Sequence, residues 1–366
     1  MRKRKILVLF MIIALVFTMA ACGNNNNQPA PPANDENGEN GTDVPTGPAQ
    51  TWSFQMAGQN PADFSDSILM RWAAEEIYSR TNGAIHIEHF PAGMLGDYVQ
   101  VLEEVMMGTI DFATITLPLH IDYRFGIKYI PWLIENYSDA KTLWTEGSNF
   151  MRLFNEAAED AGIRVLGILP GGLMGIGTIT PFDHANVWDF TQPSRELLIR
   201  LPPFETLHIM ADVMQLRIQE IPFADLYPAL STGVVDGWIG GGVELNYHVA
   251  RDVINYFYDF RYYDDSFSII MNADTYYAIP AEYRRIINEV MAEAVATALD
   301  EREDRDEYYF ERLREMGITI FIPTAAERAQ MANQFRTMGW PRFVDMFGLE
   351  TMNLLMEDVG LPPIQP

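Results

Sequence analysis

The chain of 366 residues contains one cysteine, Cys22, so it can build neither an internal disulfide framework nor a cysteine-rich metal site. Its stability must come from a buried core. Apolar residues make up 48% of the sequence and charged residues 20%, the balance of a globular protein rather than a disordered or fibrous one. At roughly 100–200 residues per domain, the length predicts two domains. Fifty acidic side chains against 25 lysines and arginines leave a formal charge of −25. A nucleic-acid binder needs a basic footprint, and this chain has the opposite, so DNA and RNA are excluded as partners.

The position of Cys22 is informative. Residues 2–5 are all cationic, residues 6–19 form an apolar run broken only by Thr18, and Ala20-Ala21 precede the cysteine. The run is shorter than the ~20 residues a spanning helix needs, and small residues follow it, which reads as a secretion signal. The placement of Cys22 resembles the lipobox of bacterial lipoproteins, which implies cleavage before Cys22 and diacylation of its thiol. Met19 stands where leucine is usual, and an ordinary signal peptide with an incidental cysteine is the alternative. Residues 23–50 hold Val44 as their one large aliphatic residue. Such a segment buries too little apolar surface to offset its ordering entropy. The expected plan is a lipoprotein signal peptide over 1–21, a lipidated cysteine and disordered tether over 22–50, and a folded body from 51.

The body alternates strand and helix patterns, which predicts an α/β fold with largely parallel pairing. Residues 51–57, 84–90 and 110–116 read as strands, separated by helices over 67–80 and after Asp97, the latter ended by Gly108. Further strands are expected at 163–170, 197–201, 234–239 and 267–272. Ile221-Pro222 opens a helix with Phe223, Leu226, Tyr227 and Leu230 on one face. One long helix is expected over about 282–316, able to run ~50 Å along two domains at 1.5 Å per residue. Within it Glu301/Arg305 and Arg302/Asp306 read as i,i+4 pairs on a solvated face. The C-terminal stretch reads as helical and acidic.

Three stretches together carry a specific resemblance. The first is TNGAI at 81–85 with HFPAGMLG at 89–96, Glu103-Glu104-Val105 and GTID at 108–111; the second is LIRLP at 198–202; the third is IPFADLYPALSTGVVDG at 221–237. Over 51–320 the chain resembles the extracytoplasmic solute-binding subunit of tripartite ATP-independent periplasmic (TRAP) transporters, the dicarboxylate-binding-protein family. The resemblance implies a two-lobed periplasmic-binding-protein-like fold with a ligand cleft between lobes, hinge strands, and a long helix spanning both. Lobe I is expected from 51–171 plus about 267–305, and lobe II from about 172–266 plus 306–366. It further implies capture of an organic acid and delivery to a membrane permease, with no catalysis and no cofactor. A ligand-sensing subunit of the same fold, serving a membrane receptor kinase, is the alternative. Some relatives hold a metal beside the ligand, and some dimerise through an extra C-terminal helix, a role open to 326–360.

Arg200 is the foremost site candidate. Its planar fork matches a carboxylate bidentately and stays charged at physiological pH. It ends an apolar strand, and the resemblance implies that it clasps the ligand's carboxylate. The resemblance also directs Phe223 and Trp238 to the cleft wall. Gly240 follows where other members carry amide or acidic side chains, and Met174 lies in a loop where some supply a second arginine. One arginine, a tryptophan and glycines suggest a monocarboxylate with a bulky or apolar body rather than a short dicarboxylate. Strand ends add Met56, Gln59, Tyr98 and Thr116. Asp236 is expected to order its turn.

Other constellations do not cohere. The glycine run at 171–177 is not the dinucleotide fingerprint and lacks a capped helix after it. His86 and His89 face opposite sides of one strand, which disfavours a shared metal. No G-x-S-x-G occurs. Asp264-Asp265 reads as solvated surface rather than as an acid–base pair.

Overall fold

The computed structural model describes residues 50–182, 187–192 and 195–365. The expected signal peptide, Cys22 and nearly all of the expected tether lie outside the described residues. Among the described residues no helix is long and apolar enough to cross a membrane.

Strong alternation makes the first strands. β1 (Trp52–Gly58) and β2 (Ile85–Phe90) pair in parallel, with Trp52 opposite Ile85 and Ala57 opposite Phe90. Between them runs the helix Ser65–Arg80, and Asp97 begins the next helix, Tyr98–Met107, by accepting from Val99 N at 3.0 Å. Gly108 ends that helix at φ 76°, a left-handed position suited to glycine. β3 (Phe112–Ile115) then pairs in parallel with β1. After two helices, Tyr137–Leu143 and Asn149–Asp160, the chain enters β4 (Ile163–Leu169).

From β4 the chain passes directly into a second sheet as β5 (Gly175–Thr178). β6 (Arg195–Leu201), β7 (Leu216–Glu220), β8 (Gly237–Gly241) and β9 (Tyr256–Tyr258) follow there. The chain then returns to the first sheet as β10 (Phe267–Asn272), and β11 (Thr319–Phe321) completes the second. The sheet orders are β2-β1-β3-β10-β4 and β11-β9-β5-β8-β6-β7. Two α/β layers with helices around them match the expected fold class.

Pairing is more mixed than the expected parallel pattern. β10 is antiparallel to β3 and β4, and β5 is antiparallel to β8 and β9. The cause is the double crossing between sheets. One leg runs out after β4 and the other runs back before β10, side by side, with Leu173 bridged to Asp264 and Met174 N bonded to Tyr263 O at 2.9 Å. The legs touch so closely that a Cβ on Gly171 would fall 1.7 Å from Asp265 O.

The expected long helix is two, Ala281–Asp300 and Arg302–Glu315, meeting at Glu301. The first packs on β4 and on Ser65–Arg80, the second on Val243–Ala250 and β11, so together they span both sheets. The pair Arg302/Asp306 is not on a solvated face: Arg302 is 1% and Asp306 7% exposed. Three helices, Ala325–Met338, Trp340–Phe347 and Leu349–Asp358, close the chain, the last reaching Asn149 and Phe150 through Asp358.

Candidate functional site

Strands of the two sheets end around one cavity, and chemistry at strand ends is the usual position for a ligand in an α/β fold. The first sheet contributes Gln59 just after β1, Thr116 just after β3, and Tyr98 at the start of its helix. Gln59 and Thr116 hold each other: Thr116 N donates to Gln59 Oε1 at 2.8 Å, and Gln59 Nε2 donates to Thr116 Oγ1 at 3.2 Å. The second sheet contributes Arg200 from β6, Pro202 and Phe204 beyond it, Phe223, and Gly240 from β8. The crossing legs add Met174, Tyr263 and Asp265, and Tyr129 closes the wall. Aromatic rings brace it, with Phe204 5.1 Å from Tyr129 and Tyr129 5.8 Å from Tyr263 between centroids.

The cavity encloses about 30 Å³. Small-molecule sites are commonly 300–1,000 Å³. A larger groove of about 580 Å³ lies on the outer face of the first sheet, beside Arg71, Tyr78 and His89. It is an open surface feature of one layer, and its charged groups, Arg71, Glu75 and Glu88, are exposed where Arg200 is buried.

Arg200 is 2% exposed. Its Nε donates to Ile221 O at 2.8 Å and its Nη1 to Ile239 O at 3.2 Å. Among the described residues no carboxylate lies within ion-pair distance of it. Burial pulls its pKa down to about 10, which still leaves it charged at neutral pH. A buried guanidinium anchored by main-chain carbonyls, with donors to spare and no fixed counter-ion, is built to receive an anion. Tyr98, pushed up to about 12 by burial, stays a neutral phenol.

Seven residues singled out in the sequence therefore share one cavity: Gln59, Tyr98, Thr116, Met174, Arg200, Phe223 and Gly240. Trp238 does not join them. Fully buried, it packs with Leu226, Val243 and Phe257 in the core beneath the second sheet. Met56 likewise turns to the core beneath the first sheet, beside Met70 and Ile77. Asp236 orders its turn, accepting from Leu198 N at 2.8 Å.

Asp264 and Asp265 are the largest correction. They are 0% and 7% exposed, not solvated. Burial pushes Asp264 up to about 7, and burial together with Asp264 raises Asp265 well above the carboxylate range. Lys128, also buried, donates to Ser266 O at 2.7 Å and is pulled down to about 7. Sequence reading also missed Tyr129, Phe204 and Tyr263. Phe204 was within reach, since it follows the Pro202-Pro203 that ends Arg200's strand.

The family model DctP, described as bacterial extracellular solute-binding protein, family 7, matches residues 69–339. The chain belongs to this family. DctP-family proteins are substrate-binding receptors, not enzymes, so this chain is an extracellular solute-binding protein. It is 23% identical over 276 residues to the C4-dicarboxylate-binding periplasmic protein DctP of Rhodobacter capsulatus, covering 74% of this chain and 80% of that one. Its fold is similar to a TRAP periplasmic solute-binding protein of Desulfovibrio salexigens with bound orotic acid, at TM-score 0.76 and 19% identity over 85% of this chain and 99% of that one. It is also similar to DctP7, an extracytoplasmic solute receptor of Bordetella pertussis that binds pyroglutamic acid, at TM-score 0.72 and 21% identity over 84% and 99%.

Proposed function

We propose that the protein is a lipid-anchored receptor that captures an organic acid between its two lobes and hands it to a TRAP-type membrane permease. Arg200 clasps the ligand's carboxylate. Tyr98, Gln59 and Thr116 meet the ligand from one lobe, and Phe223, Gly240 and Met174 from the other side of the cleft. Lobe I is built on the first sheet and lobe II on the second, with the crossing legs as hinge. Closure is then a hinge motion in which ligand shifts the population toward the closed form.

The observation that carries this reading is the buried Arg200 with no carboxylate in reach among the described residues. The acids named with the relatives above, orotic, pyroglutamic and C4-dicarboxylic, all present a carboxylate, which supports the same chemistry. Cys22 after an apolar run and Ala20-Ala21 supports the anchor.

The test is thermal unfolding of the purified protein against a panel of organic acids and neutral analogues, repeated with Arg200→Ala. A ligand at 100 times its Kd adds about 2.7 kcal/mol of stability. Stabilisation by carboxylates that Arg200→Ala abolishes is the expected result. Stabilisation by neutral compounds alone, or indifference to the substitution, would overturn the carboxylate clasp. Mass spectrometry of the mature N-terminus tests the anchor: a diacylglyceryl group on Cys22 is expected, and a free thiol contradicts it.

A further inference from the structure

Asp265 is the acidic side chain among the residues that line the cavity with Arg200. It is 7% exposed, and its Oδ2 is shielded from solvent and accepts no hydrogen bond among the described residues. Its backbone is fixed in place. Asp265 N donates to Gly172 O at 2.9 Å, Gly171 packs against its carbonyl, and Lys128 holds the next carbonyl. Yet the carboxyl is beyond ion-pair distance of both Arg200 and Lys128, so neither cation satisfies it. A buried carboxyl left unpaired costs free energy, and sites that carry such a cost are often sites of recognition.

We infer that Asp265 is the specificity-determining residue of the cavity, selecting an organic anion with one carboxylate for Arg200 and an N–H or O–H donor for Asp265. The inference rests on the carboxylate clasp proposed above. An Asp oxygen accepts from such a donor whether or not the acid carries a proton, because one acceptor oxygen remains in either form. A second ligand carboxylate offers only acceptors. Beside an ionised Asp265 it faces a like charge in a low-dielectric wall, and beside the protonated acid it can only accept that one O–H, leaving the acid's other oxygen without a donor. The pair Arg200 and Asp265 therefore distinguishes hydroxy acids and ring acids bearing N–H from dicarboxylates of the same size. A ligand that satisfies both groups gains twice, since leaving either unpaired is what a site of this kind penalises.

The experiment is isothermal titration of the intact protein with matched sets of acids. One set is pyroglutamate, cyclopentanecarboxylate and glutarate; another is lactate, propionate and malonate; a third is orotate, benzoate and isophthalate. In at least one set the donor-bearing acid is expected to bind at least about tenfold tighter than its two partners, one good hydrogen bond to a charged or buried group being worth that much. Asp265→Ala is expected to abolish that margin. Asp265→Asn, which removes the acid and supplies N–H donors, is expected to gain affinity for the dicarboxylate of the set, a gain that misfolding cannot produce. A dicarboxylate preferred by the native protein, or a donor preference untouched by Asp265→Ala with no gain in Asp265→Asn, overturns the inference while leaving the Arg200 clasp standing. Failure of every carboxylate to bind overturns both.

Discussion

Arg302 Nη1 lies 2.6 Å from Glu244 Oε2, and neither side chain reaches solvent. The same Glu244 carboxylate accepts from Ser65 N at 3.1 Å and Ser65 Oγ at 2.9 Å. Arg302 also reaches Asp306 Oδ1 through Nη2 at 2.7 Å, and the Tyr137 hydroxyl donates to Asp306 while accepting from Leu173 N at 2.9 Å. Burial opposes the charge on Arg302, but Asp306 and Glu244 outweigh it and raise the guanidinium above its ordinary pKa. Five separate segments are thus tied at one point beside the crossing legs.

Removing that cation is expected to be costly. Arg302→Leu leaves the buried Glu244 and Asp306 carboxylates without a cation, and breaking a buried pair from one side costs about 3–5 kcal/mol. A urea unfolding curve checks this, with a lowered midpoint at unchanged slope. A loss under ~1 kcal/mol would mean that the two carboxylates are relieved by protons or solvent.

The pH dependence of stability has a sign that follows from the buried acids. Asp66 and Asp264 are each pushed up to about 7, first by burial. The folded protein then holds protons that the unfolded chain has released, so these two acids make stability fall as pH rises from about 4 to 7. Lys128, pulled down to about 7 by burial, works oppositely: the unfolded chain binds the extra proton, and stability rises from about pH 7 toward 10.5. Asp66→Asn, which keeps size and polarity, is expected to flatten the fall between pH 4 and 7. Equal slopes for the native protein and the variant would contradict the burial of that charge.

Arg200 sets the affinity. Truncating one member of a buried, hydrogen-bonded charge pair costs about 2–5 kcal/mol, so Arg200→Ala is expected to weaken the bound carboxylate by about 30- to 4,000-fold. Arg200→Lys keeps the charge but loses the planar fork, and calorimetry is expected to find its Kd between the two.

Gly240 protects that arginine. It sits at φ +143°, where an L side chain is strained, and an added Cβ would lie 3.0 Å from Arg200 Nη1 and 3.3 Å from the Trp238 ring. Gly240→Ala is expected to cost about 1–3 kcal/mol in stability and to weaken ligand binding as the guanidinium is pushed aside. Thermal unfolding with and without ligand separates the two effects; an unchanged Kd would place Arg200's working position elsewhere.

Local patterns carried much of this fold. Strand alternation, the Asp97 cap, the Gly108 stop and the pairing of Arg200 with a proline-ended strand were all legible because each depends on near neighbours. The helix Asn149–Asp160 was legible too, with Phe150, Phe154, Ala157 and Ala158 buried on one face, although the reading passed over it. The misreadings share a different cause. Asp264, Asp265 and Arg302 look solvated because charged residues usually are, and what buries them is a chain crossing between segments some 90 residues apart and a partner, Glu244, 58 positions away. Trp238 was misplaced because alternation puts it on the same face as Gly240, and the irregular β5–β8 pairing, which leaves Gly240 without a partner strand residue, breaks that alternation so that only Gly240 meets the cavity.

β10 lies between β3 and β4, yet it is made about 100 residues after β4. Until it arrives, the first sheet consists of two pieces whose facing edges have nothing to bond. A nascent chain that stops short of residue 267 therefore owns no finished half. Assembly waits on distant pairings, which makes it slow, and the first sheet cannot close until nearly three quarters of the chain has been made.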